Sequence, residues 1–94
     1  MNTTTGPRFS LGRIVATPGA LRLLELHGHH PTEFLARHAR GDWGDVPPGD
    51  ALANEAALMT GSRLLSAYPV GNGRIWIVSE ASREVTTLLM PEEY

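Results

Sequence analysis

Three runs rich in aliphatic, β-branched and aromatic residues follow one another closely in the last third of the chain: Arg63–Val70, Arg74–Ser79 and Val85–Met90. Gly71-Asn72-Gly73 separates the first two and Ala81-Ser82-Arg83-Glu84 the last two, both of them short enough for hairpin connections. The pattern predicts an antiparallel three-stranded meander. A sheet this small is not stable with both faces in water, so the rest of the chain must cover one of them.

The preceding segment has the means to do so. Thr17 is placed to cap a helix with Pro18 at its first position, and Leu21, Leu23, Leu24 and Leu26 are expected to form its apolar face, with Gly28 as its end. A second helix opens at His30-Pro31-Thr32, buries Phe34, Leu35, His38 and Ala39, carries a surface pair of Glu33 with Arg37, and stops at Gly41. Residues 41–50, GDWGDVPPGD, are turn formers apart from Trp43 and Val46 and read as a loop. A third helix is expected from Asp50, its cap, to Thr60, with Leu52, Ala56 and Met59 inward and Gly61 as its stop. Ahead of all three, Arg8–Val15 alternates like a half-buried strand with a bulge at Gly12.

The expected architecture is α+β: an N-terminal strand, three short helices and a C-terminal three-stranded antiparallel meander, in the order βαααβββ, with the helices covering one face of the sheet. Residues 1–7 read as a disordered tail and 8–94 as a single domain, since a chain of 94 residues suffices for one core and not for two.

Composition excludes several functions. The absence of cysteine removes disulfides, thiolate zinc sites and thiol nucleophiles, and makes the cytoplasm the natural compartment. Neither a secretory leader nor an apolar run of bilayer length is present, so no membrane partner is expected. Residues 1–40 hold five arginines against two acids and residues 41–94 three against eight, for a net charge of −2. That weak acidity, without a single lysine, argues against a nucleic-acid partner, which ordinarily selects a basic footprint.

The segments LGRIVATPGAL, FLARHARGDWGD, RLLSAY and RIWIVSEASREVTTLLMPEEY together resemble a family of small bacterial proteins carried on plasmids, integrative elements and chromosomes, labelled hypothetical or plasmid-related. The resemblance runs from about Phe9 to Tyr94. It implies an accessory protein of mobile DNA and assigns no activity. Members are sometimes labelled as type I restriction subunits, but this chain is too short for one and has no glycine-rich cofactor loop after a strand. Pro47-Pro48-Gly49 stands where the family more usually has acidic residues, so an acidic role for that loop is not carried over.

Several side-chain groups have the residue types that could carry chemistry. His27, His29 and His30 could in principle hold a metal, but their spacing matches no known site and an exposed helix-ending turn accounts for them, so neither metal nor cofactor is expected. Asp42, Asp45 and Asp50 read as turn and cap residues rather than a cation loop. Trp43 must either fold back onto the core, the preferred reading, or offer its ring to a partner, in which case Arg37 and Arg40 flank the contact. On the contact reading, Trp43→Ala leaves the fold intact and weakens capture; on the core reading it disrupts the fold.

The resulting expectation is a non-enzymatic protein-binding module, with Arg37, Arg40 and Trp43 as its contact residues, acting on a host or element-encoded protein, with inhibition of a defence system as one form of that action. The alternative is a toxin-like ribonuclease of RelE or barnase architecture using His38, Glu80 and Arg83 as acid, base and phosphorane-stabilising groups. A homodimer formed through an edge strand is the third reading.

Overall fold

The computed structural model describes residues 6–94, so residues 1–5 of the tail expected over 1–7 lie outside the described residues. The elements are β1 (Arg13–Ala16), α1 (Pro18–Leu26), α2 (Pro31–Ala39), α3 (Pro48–Thr60), β2 (Leu64–Val70), β3 (Gly73–Ser79) and β4 (Val85–Leu89), followed by a 3-10 turn at Pro91–Glu93. The fold is α+β, with strand order β1-β4-β3-β2. β2, β3 and β4 form the antiparallel meander, and β1 joins β4 in parallel, with Ile14 beside Thr86.

The strand alternation sorts the sheet into two faces. Tyr68, Ile75, Ile77 and Leu88 point to the inner face, where they meet Ala20 and Leu24 of α1 and Phe34 and Leu35 of α2 in the main core. A second cluster joins Trp43, Ala57 of α3 and Leu64. α3 lies along β2, and its Asn54 satisfies both backbone groups of Leu65: Nδ2 donates to the carbonyl at 2.8 Å and Oδ1 accepts from the amide at 3.2 Å. Two residues on, the Ala67 amide donates to the Trp43 carbonyl and the Ala67 carbonyl accepts from the Asp45 amide. The next outward-pointing position is Pro69, which has no N–H to leave unpaired. The outer edge of β2 is therefore closed by three different devices.

Several expectations need correction. The first strand starts at Arg13, not Arg8, because Gly12 takes φ +66° where a Cβ would strike the Arg83 and Glu84 backbone, and the Arg8 amide donates instead to Ala39. This is a left-handed turn into a short strand rather than a bulge.

In α1, Ala20 and Leu24 face inward, whereas Leu21 and Leu26 are exposed. α3 begins two residues early, with Pro47 as its cap and Asp50 inside its first turn. Its buried residues are Asn54 and Ala57; Leu52 and Met59 are 72% and 87% exposed, and Ala56 is also outward. In α2, Phe34, Leu35, His38 and Ala39 are buried as expected, but Glu33 pairs with His29 and Arg37 with Asp42.

Candidate binding surface on the outer face of the sheet

The residues singled out from the sequence are mostly occupied in holding the fold. His38 is fully buried between the helices and the sheet, its Nδ1 2.6 Å from Ser66 Oγ and its Nε2 3.0 Å from Ser79 Oγ. Ser79 Oγ lies 2.6 Å from Thr86 Oγ1, which donates to the Leu11 carbonyl at 2.7 Å. The carbonyl end fixes the direction of the whole chain. Thr86 gives its one proton to Leu11, so Ser79 donates to Thr86, His38 Nε2–H donates to Ser79, and Ser66 donates to Nδ1. Burial, reinforced by the charge of Arg83, lowers the His38 pKa to about 4. An imidazole in this setting has both nitrogens engaged and no exposure to a substrate.

Arg83 sits at φ +63° in the β3–β4 hairpin. Its guanidinium donates to the carbonyls of Ser62, Glu80 and Ala57, tying the hairpin to the C-terminal end of α3, and lies 5.6 Å from the Phe9 ring. Glu80 is exposed. Arg83→Ala is expected to lower stability by about 2 kcal/mol, the range for losing charge-assisted hydrogen bonds, in a urea melt at neutral pH. Loss of any activity in that variant would therefore report folding before chemistry.

The other trio is also dispersed. Trp43 is 6% exposed, its Nε1 donating to Glu55 at 3.0 Å and its ring packed beside Phe9 and edge-on to His38. The indole therefore folds back on the core. Arg37 donates through Nε to Asp42 at 2.7 Å and stacks 4.5 Å over the Tyr68 ring. That bond holds the Asp42 carboxyl below its ordinary range, while burial pushes the Tyr68 phenol up to about 12. Arg40 alone of the three projects outward. The histidine turn is likewise structural: His30 caps α2 by accepting from Thr32, His29 pairs with Glu33, and the His27 ring lies against Gly71 of the β2–β3 turn.

The face left open is the outer one. Leu65 and Ala67 of β2 and Arg74, Trp76 and Val78 of β3 point there; Arg74 is exposed and Leu65 and Trp76 are half-buried, while Ala67 and Val78 are covered. The Pro91–Glu93 turn, Tyr94 and the 45–47 segment fold over part of it. The Tyr94 ring stands edge-on to Trp76 at 5.6 Å, and Arg63 donates to the Tyr94 hydroxyl.

Beside Trp76 runs a groove of about 370 Å³. Leu65, Ala67 and Trp76 form its floor, Val46 and Pro47 one wall and Pro91 the other. Arg74 bridges to Asp45 at 3.2 Å on the rim, and Asp50, in the first turn of α3, has no ion pair among the described residues. A groove of this size and lining takes one or two apolar side chains, and the rim adds a net negative charge for an adjoining cation.

The sequence reading did not single out Trp76 as a contact residue. The signal was the alternation of Arg74, Trp76 and Val78 against Ile75 and Ile77, which puts the indole on the opposite face from the helix-covered aliphatics. Among the described residues, no helix is long and apolar enough to cross a membrane. No family model, curated protein or solved structure matches the chain.

Proposed function

We propose that the chain is a non-enzymatic protein-binding module whose outer sheet face receives a partner segment presenting an apolar side chain beside a basic one. The observation that carries this reading is the Trp76 groove: an indole and an apolar floor left open by the fold, with acidic residues at the rim. Aromatic anchors next to preformed grooves are what protein contacts use. The mobile-element resemblance supplies the setting, an accessory protein acting on a host or element-encoded protein, with inhibition of a defence system as one form of that action.

The ribonuclease reading has weaker support. It requires His38, Glu80 and Arg83 to converge on a phosphate, whereas His38 is enclosed and Arg83 is spent on backbone carbonyls.

The test is site-specific photo-crosslinking in bacterial cells, with the crosslinking side chain at Asp50 on the rim or at exposed Met59 at the far end of α3. A discrete protein adduct is expected from position 50 and none from 59, and adding Trp76→Ala is expected to cut it at least tenfold, the effect of removing an anchor worth over about 1.4 kcal/mol. Equal adducts from both positions, or insensitivity to Trp76→Ala in a variant that still melts cooperatively, would sink the groove as the binding site. Cleavage of RNA by the purified chain would restore the nuclease.

A further inference from the structure

The two edges of the sheet are treated differently by the sequence. β2 is sealed by Asn54, by the 43–45 segment and by Pro69, as described above. β1, at the other edge, has no such protection among the described residues. The Arg13 amide donates to Glu84 and the Thr17 amide to Leu88, which fixes the parity of the strand: Arg13, Val15 and Thr17 turn their backbone toward β4, while Ile14 and Ala16 turn theirs outward. Ile14 and Val15 are 43% and 40% exposed, and the strand contains neither proline nor lysine to discourage pairing.

We propose that β1 is a self-association edge, and that two copies of the chain pair through it antiparallel about a two-fold axis, extending the sheet from one copy into the next. The parity allows a register in which Ile14 of one copy exchanges both backbone hydrogen bonds with Ala16 of the other, and Val15 meets its own counterpart on the axis. Charge favours the same register. Arg13 is exposed and unpaired among the described residues, and in this alignment it lies opposite Thr17 of the second copy. Thr17 Oγ1 is bonded at 2.7 Å to Glu93 Oε1, and the same carboxylate accepts from the Met90 amide, so a fixed anion stands beside the position that Arg13 reaches. The partner is thus a second copy of this chain, recognised by backbone pairing, a Val15 pair and two symmetry-related Arg13–Glu93 contacts. The axis stands perpendicular to the sheet, so both Trp76 grooves face the same side of the dimer and present two sites to a partner.

Sedimentation velocity on the full chain, from micromolar to near-millimolar concentration, tests the pairing. The expected result is a mass that rises toward twice the 10.2 kDa of one chain, with weaker association at high salt. Ile14→Pro removes only an outward amide and Val15→Asp sets two carboxylates face to face on the axis; each is expected to hold the chain monomeric. Arg13→Glu, at an exposed side chain that leaves the ladder to β4 intact, is expected to weaken association at least tenfold by facing Glu93 with a like charge. A parent chain that stays monomeric throughout overturns the proposal, as does a dimer that survives Val15→Asp and Arg13→Glu. The outcome is independent of the groove, which crosslinking reads separately.

Discussion

Trp43→Ala is expected to destabilise the fold by about 3 to 5 kcal/mol, the range for truncating a buried tryptophan or phenylalanine to alanine. For a domain of this size, whose total stability is on the order of 5 to 15 kcal/mol, that is enough to leave a large unfolded fraction at growth temperature. The indole closes the second core cluster with Ala57 and Leu64, packs edge-on to His38, and anchors the loop whose backbone completes the β2 edge. Its removal opens a cavity at the junction of α2, α3 and the sheet and loosens the Ala67 pairing at the same time. Urea denaturation followed by far-ultraviolet circular dichroism gives the size of the loss. Tryptophan emission gives its origin, since only half-buried Trp76 remains to report in the variant. Trp43→Phe keeps most of the volume and gives up the Glu55 hydrogen bond, so it is expected to cost about 1 to 2 kcal/mol. A loss below about 1 kcal/mol for Trp43→Ala would show that the loop does not depend on the indole.

The architecture was legible because the meander and the helix punctuation are local signals. Pro18, Pro31, Gly28, Gly41 and Gly61 mark helix ends through backbone constraints that tertiary contacts rarely override, and the three apolar runs became β2, β3 and β4 with boundaries shifted by about a residue. The misread parts are those where an apolar residue had two uses. α3 offers Leu52, Ala56 and Met59 on one side and Ala51, Asn54, Ala57 and Leu58 on the other. The fold turns the second set inward because Asn54 is needed at Leu65, where two strand groups would otherwise lie buried and unpaired. No hydrophobicity pattern places an asparagine at the centre of a buried face. Likewise the alternation from Arg8 suggested a strand, but Gly12 packs its bare Cα against the Arg83–Glu84 backbone, a long-range contact that periodicity does not carry.

The same distinction separates the site residues. Arg37, Arg40, Trp43, Glu80 and Arg83 were chosen for their chemistry, and four of them lie in loops or at helix ends, where such groups commonly serve the backbone instead. Arg83 bonds carbonyls of α3 and the hairpin, Arg37 holds Asp42, and the Trp43 carbonyl pairs with Ala67. The open groove depends on something the sequence states only weakly, namely which sheet face the helices choose. Once Ile75 and Ile77 are assigned to the covered face, Arg74 and Trp76 follow on the other.

Acidification is expected to expose the burial of His38 as a loss of stability. Its folded pKa is depressed to about 4 from an ordinary 6.5, by burial first and by the charge of Arg83 second. Above pH 6.5 both folded and unfolded chains hold the imidazole neutral. Between pH 6.5 and 4 the unfolded chain takes up a proton that the folded chain refuses, so stability falls as pH falls and is recovered as pH rises through the same window. The full swing is about 3 to 4 kcal/mol, for a pKa lowered from 6.5 to about 4 at roughly 1.4 kcal/mol per tenfold change in proton affinity. Protonation also conflicts with the network itself: a second N–H at Nδ1 would face the Ser66 hydroxyl that now donates to it, and every other proton in the chain is already fixed by the Leu11 carbonyl. The carboxylates of Asp42 and Glu55, held low by Arg37 and Arg8 respectively, act in the same direction but only below about pH 5, and as exposed pairs their share is small. Denaturant midpoints at pH 7, 6 and 5, taken on the parent and on His38→Gln, separate this histidine from His27, His29 and His30 of the α1–α2 turn. The parent is expected to lose most of 2 kcal/mol across that interval. His38→Gln, which still donates to Ser79, is expected to be less stable at pH 7 and flat from pH 7 to 5. A slope that persists in His38→Gln would place the titrating group elsewhere, and a flat parent would mean that water reaches His38 in the folded state.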